Sequence, residues 1–364
     1  MPQKLFTPVN LGRLVLKNRF VRSATWDGKG ETDGSFSRAQ VELYKNLSAG
    51  GAGLLTSGYI AVDPAGRRNP EQNLLCRPHH QQSLKKVVQA GRAHDTAFMA
   101  QLVHCGGLAR SSVSGLKRVA PSALKHPLFK EMPQEIEIKE IKQLATNFGE
   151  AAGRAREAGC DGVQIHAAHG YLISQFLSPF SNQRRDDYGG DLENRGRFLE
   201  ECYLKIREYV GSDFAVTMKI NGSDYLENGL ELKESLKLTQ HLAQIGLDAV
   251  EVSGGTQVSS PWTPVPCGIK AGENEAPFLT ECRAFAENLS LPVIAVGGIR
   301  SLEGAARVRD QGATLISLCR PLIREPDLIR QWQAGRDTAA ACCSCNRCFI
   351  PAYKGRGISC LQLE

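Results

Sequence analysis

No stretch of this chain stays apolar for long enough to span a bilayer. The N-terminus, Met1-Pro2-Gln3-Lys4-Leu5-Phe6, lacks the charged-then-apolar pattern of an export signal. There is no dense basic run either: 44 Lys and Arg against 38 Asp and Glu leave a net charge of +6, spread over 364 residues. That balance suits small anionic ligands better than a nucleic-acid surface. No apparent strand is followed by G-x-G-x-x-G, which argues against a dinucleotide-binding Rossmann domain. These absences lead to the expectation of a cytoplasmic protein with no membrane and no nucleic-acid partner. Without an export signal, the 12 cysteines read as thiols or metal ligands rather than disulfides.

What is present is an alternation of short apolar runs with helical spacings. Eight runs read as strands: 19–23, 53–58, 97–103, 161–165, 214–220, 249–253, 292–296 and 314–318. Helical periodicity follows most of them, as in Ile141, Leu144, Ala145, Phe148, Ala152 and Ala155. Strands apolar on both faces belong in a parallel sheet. Eight such units, with no linker between them, predict α/β architecture: a single (β/α)8 TIM barrel with loop insertions and a Cys-rich C-terminal tail. Residues 108–134 have little periodicity and read as a lid or hairpin over the mouth.

In such a barrel, chemistry belongs at the C-terminal strand ends. The fourth run ends in His166-Ala167-Ala168-His169-Gly170-Tyr171. Two imidazoles three residues apart can aim their N–H groups at one small polar atom. Packed core histidines are the plainer alternative; two His and a Tyr at one strand end favour a functional site. A zinc site would need a third ligand, and the gap is not that of H-E-x-x-H. At the seventh and eighth strand ends, Gly297-Gly298 lets backbone N–H groups approach an anion, and Arg320 can fork onto phosphate oxygens. Gln101 ends the third strand and Lys219 the fifth. A Gln suits a ring amide such as a flavin pyrimidine edge, and a Lys there stabilises negative charge.

Together, Leu16-Lys17-Asn18-Arg19, Gln101-Leu102-x-His104, the run from His166 through Phe176-Leu177-Ser178-Pro179 and Tyr188-Gly189-Gly190 to Arg195, and Val296-Gly297-Gly298 resemble the Old Yellow Enzyme family. The resemblance covers nearly the whole chain. It implies an FMN-binding barrel over residues 1–340 that takes NAD(P)H as reductant and acts as an ene-reductase on α,β-unsaturated carbonyl compounds. Ala24, Thr25 and Gly58 would line the flavin, Gln101 and Lys219 would hold its pyrimidine edge, and Gly297, Gly298 and Arg320 its phosphate. His166 and His169 would grip the substrate carbonyl, and Tyr171 would give the proton. Trp26 stands where family members often carry Cys or Thr.

The tail adds Cys342, Cys345 and Cys348 at C-x2-C-x2-C spacing, then Cys360. Four thiolates so spaced can ligate a 4Fe–4S cluster; zinc could use the same set, and Cys343 makes the ligand choice ambiguous. This tail is similar to that of the trimethylamine dehydrogenase and 2,4-dienoyl-CoA reductase branch, in which a cluster links FMN to a C-terminal FAD/NAD(P)H domain. The chain stops at Glu364, so that domain is expected to be absent. The alternative function is then a dehydrogenase or demethylase exchanging electrons with a partner flavoprotein. Residues 341–364 are expected to form a separate segment packed on the barrel. The sequence is compatible with a homo-oligomer.

Overall fold

The computed structural model describes residues 2–127 and 131–362. Met1, residues 128–130 of the expected lid and the last two residues of the tail lie outside the described residues. Eight parallel strands close on themselves: β1 Phe20–Arg22, β2 Leu54–Thr56, β3 Ala97–Val103, β4 Gly162–Ala167, β5 Ala215–Asn221, β6 Ala249–Ser253, β7 Val293–Val296 and β8 Leu315–Leu318. Neighbours run β2-β1-β8-β7-β6-β5-β4-β3, and β3 pairs back onto β2 to complete the (β/α)8 barrel. Every predicted strand is present: 97–103 and 249–253 agree to the residue, the runs at 161–165 and 214–220 begin one residue later and run past their expected ends, and the other four are trimmed. Closure leaves no barrel edge, so each strand has a hydrogen-bonded neighbour on both sides.

The layer outside the strands consists of α1 Arg38–Ala49, α2 Pro78–Gly91, α3 Ile138–Glu157, α4 Leu192–Val210, α5 Leu232–Gln244, α6 Leu279–Asn288 and α7 Leu302–Asp310. Two short helices, Arg320–Arg324 and Leu328–Gln333, follow β8. In α3 the predicted stripe from Ile141 to Ala155 is the buried face, and a Glu137–Glu140 capping box starts the helix. Phe148 on that face meets Phe198 of α4 with ring centroids 6.4 Å apart. Among the described residues no helix is long and apolar enough to cross a membrane.

The bottom of the barrel is plugged by an element outside the eight predicted strands. Val9–Leu11 and Leu14–Leu16 form an antiparallel hairpin. Its Leu11 and Leu16 pack against Met99 and the opening residues of several strands, Leu54, Ala215, Ala249 and Leu315. That leaves the C-terminal end as the open one.

The expected lid is a correction. Val119–Ala120 and Gln134–Glu135 pair in parallel, so residues 108–134 do not form a hairpin. None of the described residues in this excursion lines the mouth. Arg184 holds it down instead, its Nη1 donating to the carbonyls of Pro121 at 2.9 Å and Ile136 at 2.8 Å. The mouth is bordered by the loop after β6 and by the chain after residue 341. There Cys348, Ala352 and Ile358 pack on Trp26, and the Ile358 N–H donates to the Asp27 carbonyl at 2.6 Å.

Candidate active site

A cavity of about 520 Å³ opens at the C-terminal ends of the strands. Ala24, Thr25, Gln101, His166, His169, Tyr171, Lys219, Gly297, Gly298 and Arg320 all line it. Of the residues expected around a flavin, Gly58 alone stands behind the wall, its N–H donating to the Tyr44 hydroxyl at 2.9 Å.

The histidine pair is made by a turn. His169 has φ +66° and Gly170 φ +76°, so the chain reverses immediately after β4. The His169 ring comes back against His166, with centroids 5.1 Å apart and planes at 85°. The Tyr171 ring also meets His166, with centroids 4.8 Å apart. The Ala168 N–H donates to His166 Nδ1 at 3.4 Å, which places the His166 proton on Nε2. His169 Nε2 shares a 2.8 Å hydrogen bond with Ser253 Oγ, so Nδ1 is the nitrogen left for the cleft. Burial holds both imidazoles well below the usual histidine range, with the Lys219 cation acting in the same direction. Both are therefore neutral N–H donors. Burial also pushes the Tyr171 phenol up to about 12, so it keeps its proton at neutral pH. Tyr59, which sequence reasoning passed over, packs tilted against Tyr171 with ring centroids 5.5 Å apart.

At the far side of the cleft, Gly297 and Gly298 have φ of +111° and +66°. A Cβ on Gly298 would stand 2.8 Å from Pro277 Cδ, so only glycine fits this backbone cradle. Arg320 is tethered at the rim by hydrogen bonds from Nη1 to the Pro266 carbonyl at 2.8 Å and Asn346 Oδ1 at 2.7 Å. Asn346 lies beyond β8, in the tail, which no pattern in the barrel repeat foretold. A backbone anion cradle, an amide and an ammonium in one cleft fit a flavin mononucleotide. Trp26 lies across the rim, its ring 5.3 Å from Tyr353, and so bridges the cleft to the tail.

Cys342, Cys345, Cys348 and Cys360 are brought together, with Cys343, around a second and smaller cavity that shares Arg320 and Asn346 with the first. Among the described residues no group of three or more His, Cys, Asp or Glu stands at metal-holding geometry. Ser344 and Asn346 both have left-handed backbone, at φ +53° and +59°, which curls the chain between the cysteines.

His104, just past the end of β3, gives a pH dependence. It is 2 % exposed, its Nδ1 accepts from the Gly106 N–H at 3.1 Å, and its Nε2 has no partner. Burial pushes its pKa down to about 4. The unfolded chain binds the proton near 6.5, so stability is full above that pH and falls as pH drops toward 4. Each such histidine contributes a slope of up to about 1.4 kcal/mol per pH unit. Urea unfolding between pH 7 and 5 should show this loss, and His104→Gln should flatten it by one proton. An unchanged slope would place the acid sensitivity elsewhere.

A profile of the NADH:flavin oxidoreductase / NADH oxidase family matches residues 4–339. A 4,4′-dithiodibutanoate disulfide reductase from Rhodococcus erythropolis is 30% identical over 378 residues, covering 96% of this chain and 93% of that protein. A metal reductase from Desulforamulus reducens is 32% identical over 363 residues, covering 98% of this chain and 53% of that protein. A solved 2-naphthoyl-CoA reductase complex superposes with a TM-score of 0.91 at 25% identity, over 99% of this chain and 57% of that one. The chain thus spans about half the length of the last two relatives.

Proposed function

Because this chain belongs to the NADH:flavin oxidoreductase / NADH oxidase family, we propose that it is an FMN-dependent enzyme reducing the C=C bond of α,β-unsaturated carbonyl compounds with NAD(P)H. The observation that carries the reading is the pair of neutral, buried imidazoles beside a protonated tyrosine. When held in the cleft, FMN would supply the hydride chemistry that links the nicotinamide to the substrate's β-carbon. His166 Nε2–H and His169 Nδ1–H would donate to the carbonyl oxygen, where charge builds in the transition state. Tyr171 would protonate the α-carbon. Gly297, Gly298 and Arg320 would hold the phosphate, and Gln101 and Lys219 the pyrimidine edge.

Acid treatment should release one FMN and no FAD. Anaerobic NADH or NADPH should bleach the flavin, and cyclohexenone should restore its colour. Bleaching without reoxidation by the enone would refute the ene-reductase reading while leaving the flavin in place.

The cysteine cavity favours a second reading, in which the thiolates hold a 4Fe–4S cluster that exchanges electrons with a partner flavoprotein. Anaerobically prepared protein should then contain about four irons per chain. Cys345→Ser should abolish the broad absorbance beneath the flavin bands. Zinc, with no signal after dithionite, would reduce the tail to a structural role.

A further inference from the structure

Beneath the lysine and glutamine that face the cleft lies a buried polar relay that the proposed mechanism does not use. Glu251 on β6 is fully buried and does not line the cavity. It sits opposite Lys219 in the β5–β6 register, and its Oε1 is 3.4 Å from Lys219 Nζ. Lys219 Nζ donates to Ser23 Oγ at 3.1 Å, and Ser23 Oγ donates to Glu251 Oε1 at 3.0 Å. On the other side, Gln164 Nε2 donates to Glu251 Oε2 at 2.9 Å. Gln101 Nε2 donates to Gln164 Oε1 at 2.7 Å.

The chemistry of these groups gives the relay a direction. A carboxylate only accepts, so Glu251 forces the Gln164 amide nitrogen toward itself. The Gln164 oxygen must then face Gln101 and take one of its N–H groups. Gln101 is left presenting its oxygen and its second N–H to the cleft, in one orientation of the two an amide could adopt. The flavin pyrimidine edge, an N–H flanked by carbonyls, requires that choice to be made.

We propose that Glu251 is a positioning residue for the flavin. Through Gln164 it sets which way the Gln101 amide faces, and through Lys219 it sets how much positive charge meets the pyrimidine edge. This rests on the flavin reading above. Neither Glu251 nor Gln164 lines the cleft. A carboxylate this deep offsets part of the lysine's charge and so restrains stabilisation of the reduced, anionic flavin.

The test is anaerobic reductive titration of FMN-loaded Glu251→Gln against a reference dye. With the counter-charge gone, the flavin midpoint potential should rise. A tenfold change in the ratio of oxidised to reduced flavin corresponds to about 30 mV for a two-electron couple, and at least that is expected. Glu251→Asp, which keeps the charge, should stay nearer the unsubstituted value. A purely structural role would lower the melting temperature in both variants without this ordering. Gln164→Met separates the second arm, because it cuts the amide relay and leaves the ion pair. Its FMN dissociation constant should rise about tenfold, with a smaller change in potential than in Glu251→Gln. A potential unmoved in Glu251→Gln, or FMN affinity unmoved in Gln164→Met, overturns the corresponding arm. Failure of the unsubstituted protein to release FMN on acid treatment would instead overturn the flavin reading itself.

Discussion

Tyr171→Phe should slow cyclohexenone reduction by about 10²- to 10⁴-fold, the range for loss of a placed general acid. Flavin reduction by NAD(P)H should be almost unchanged. The separation follows from where the hydroxyl is needed. Hydride arriving at the flavin requires no proton from this side chain, whereas the α-carbon of the enone must receive one. The phenol is suited to give it, because burial pushes its pKa up to about 12 and the proton is in place at every working pH. The ring itself packs against Tyr59 and His166, contacts that phenylalanine retains. Stopped-flow measurement of the two half-reactions decides the matter. Equal losses in both would mean that Tyr171 shapes the pocket.

How much of this site could be read beforehand depended on whether a signal was local. The His166–Tyr171 segment was legible because one strand end and one turn hold all three rings. The eight strands were legible because each is a short apolar run bounded by turn residues. Glu251 and Gln164 were not, since each looks like a stray polar residue in its own strand. Only the parallel pairing of β3, β4, β5 and β6, far apart in the chain, brings them into one polar layer. Asn346 was hidden for the same reason: its partner Arg320 is 26 residues away. The lid was misplaced because low periodicity marks an irregular segment and says nothing about what that segment packs against. The plugging hairpin was missed because three-residue strands are too short to show alternation.

Removing either histidine should weaken phenol binding to the oxidised enzyme, and removing both should nearly abolish it. A phenol places its oxygen where the substrate carbonyl would sit and binds as an anion when two donors converge on it. Each lost hydrogen bond to a charged acceptor is worth about 1.5–3 kcal/mol, so His166→Ala or His169→Ala should raise the dissociation constant by about 10- to 150-fold. The two effects should not simply add. The rings touch at 5.1 Å, so the first substitution also frees the second ring to move. The supports differ as well. His169 is held by Ser253 Oγ through its side chain and by Asn221 Oδ1 through its backbone N–H, whereas His166 stands within β4 itself. Ser253→Ala should therefore reproduce part of the His169→Ala loss and leave the His166 contribution intact. His166→Asn, which retains an N–H donor, should recover more phenol affinity than His166→Ala. Difference titrations of the flavin band with phenol measure all of these. Unchanged dissociation constants in both alanine variants would remove the oxyanion role from the pair. Both imidazoles are held neutral far below pH 6.5, so the affinity they confer should not follow histidine titration between pH 6 and 8. Any pH dependence in that range should track ionisation of the phenol, with electron-poor phenols binding more tightly.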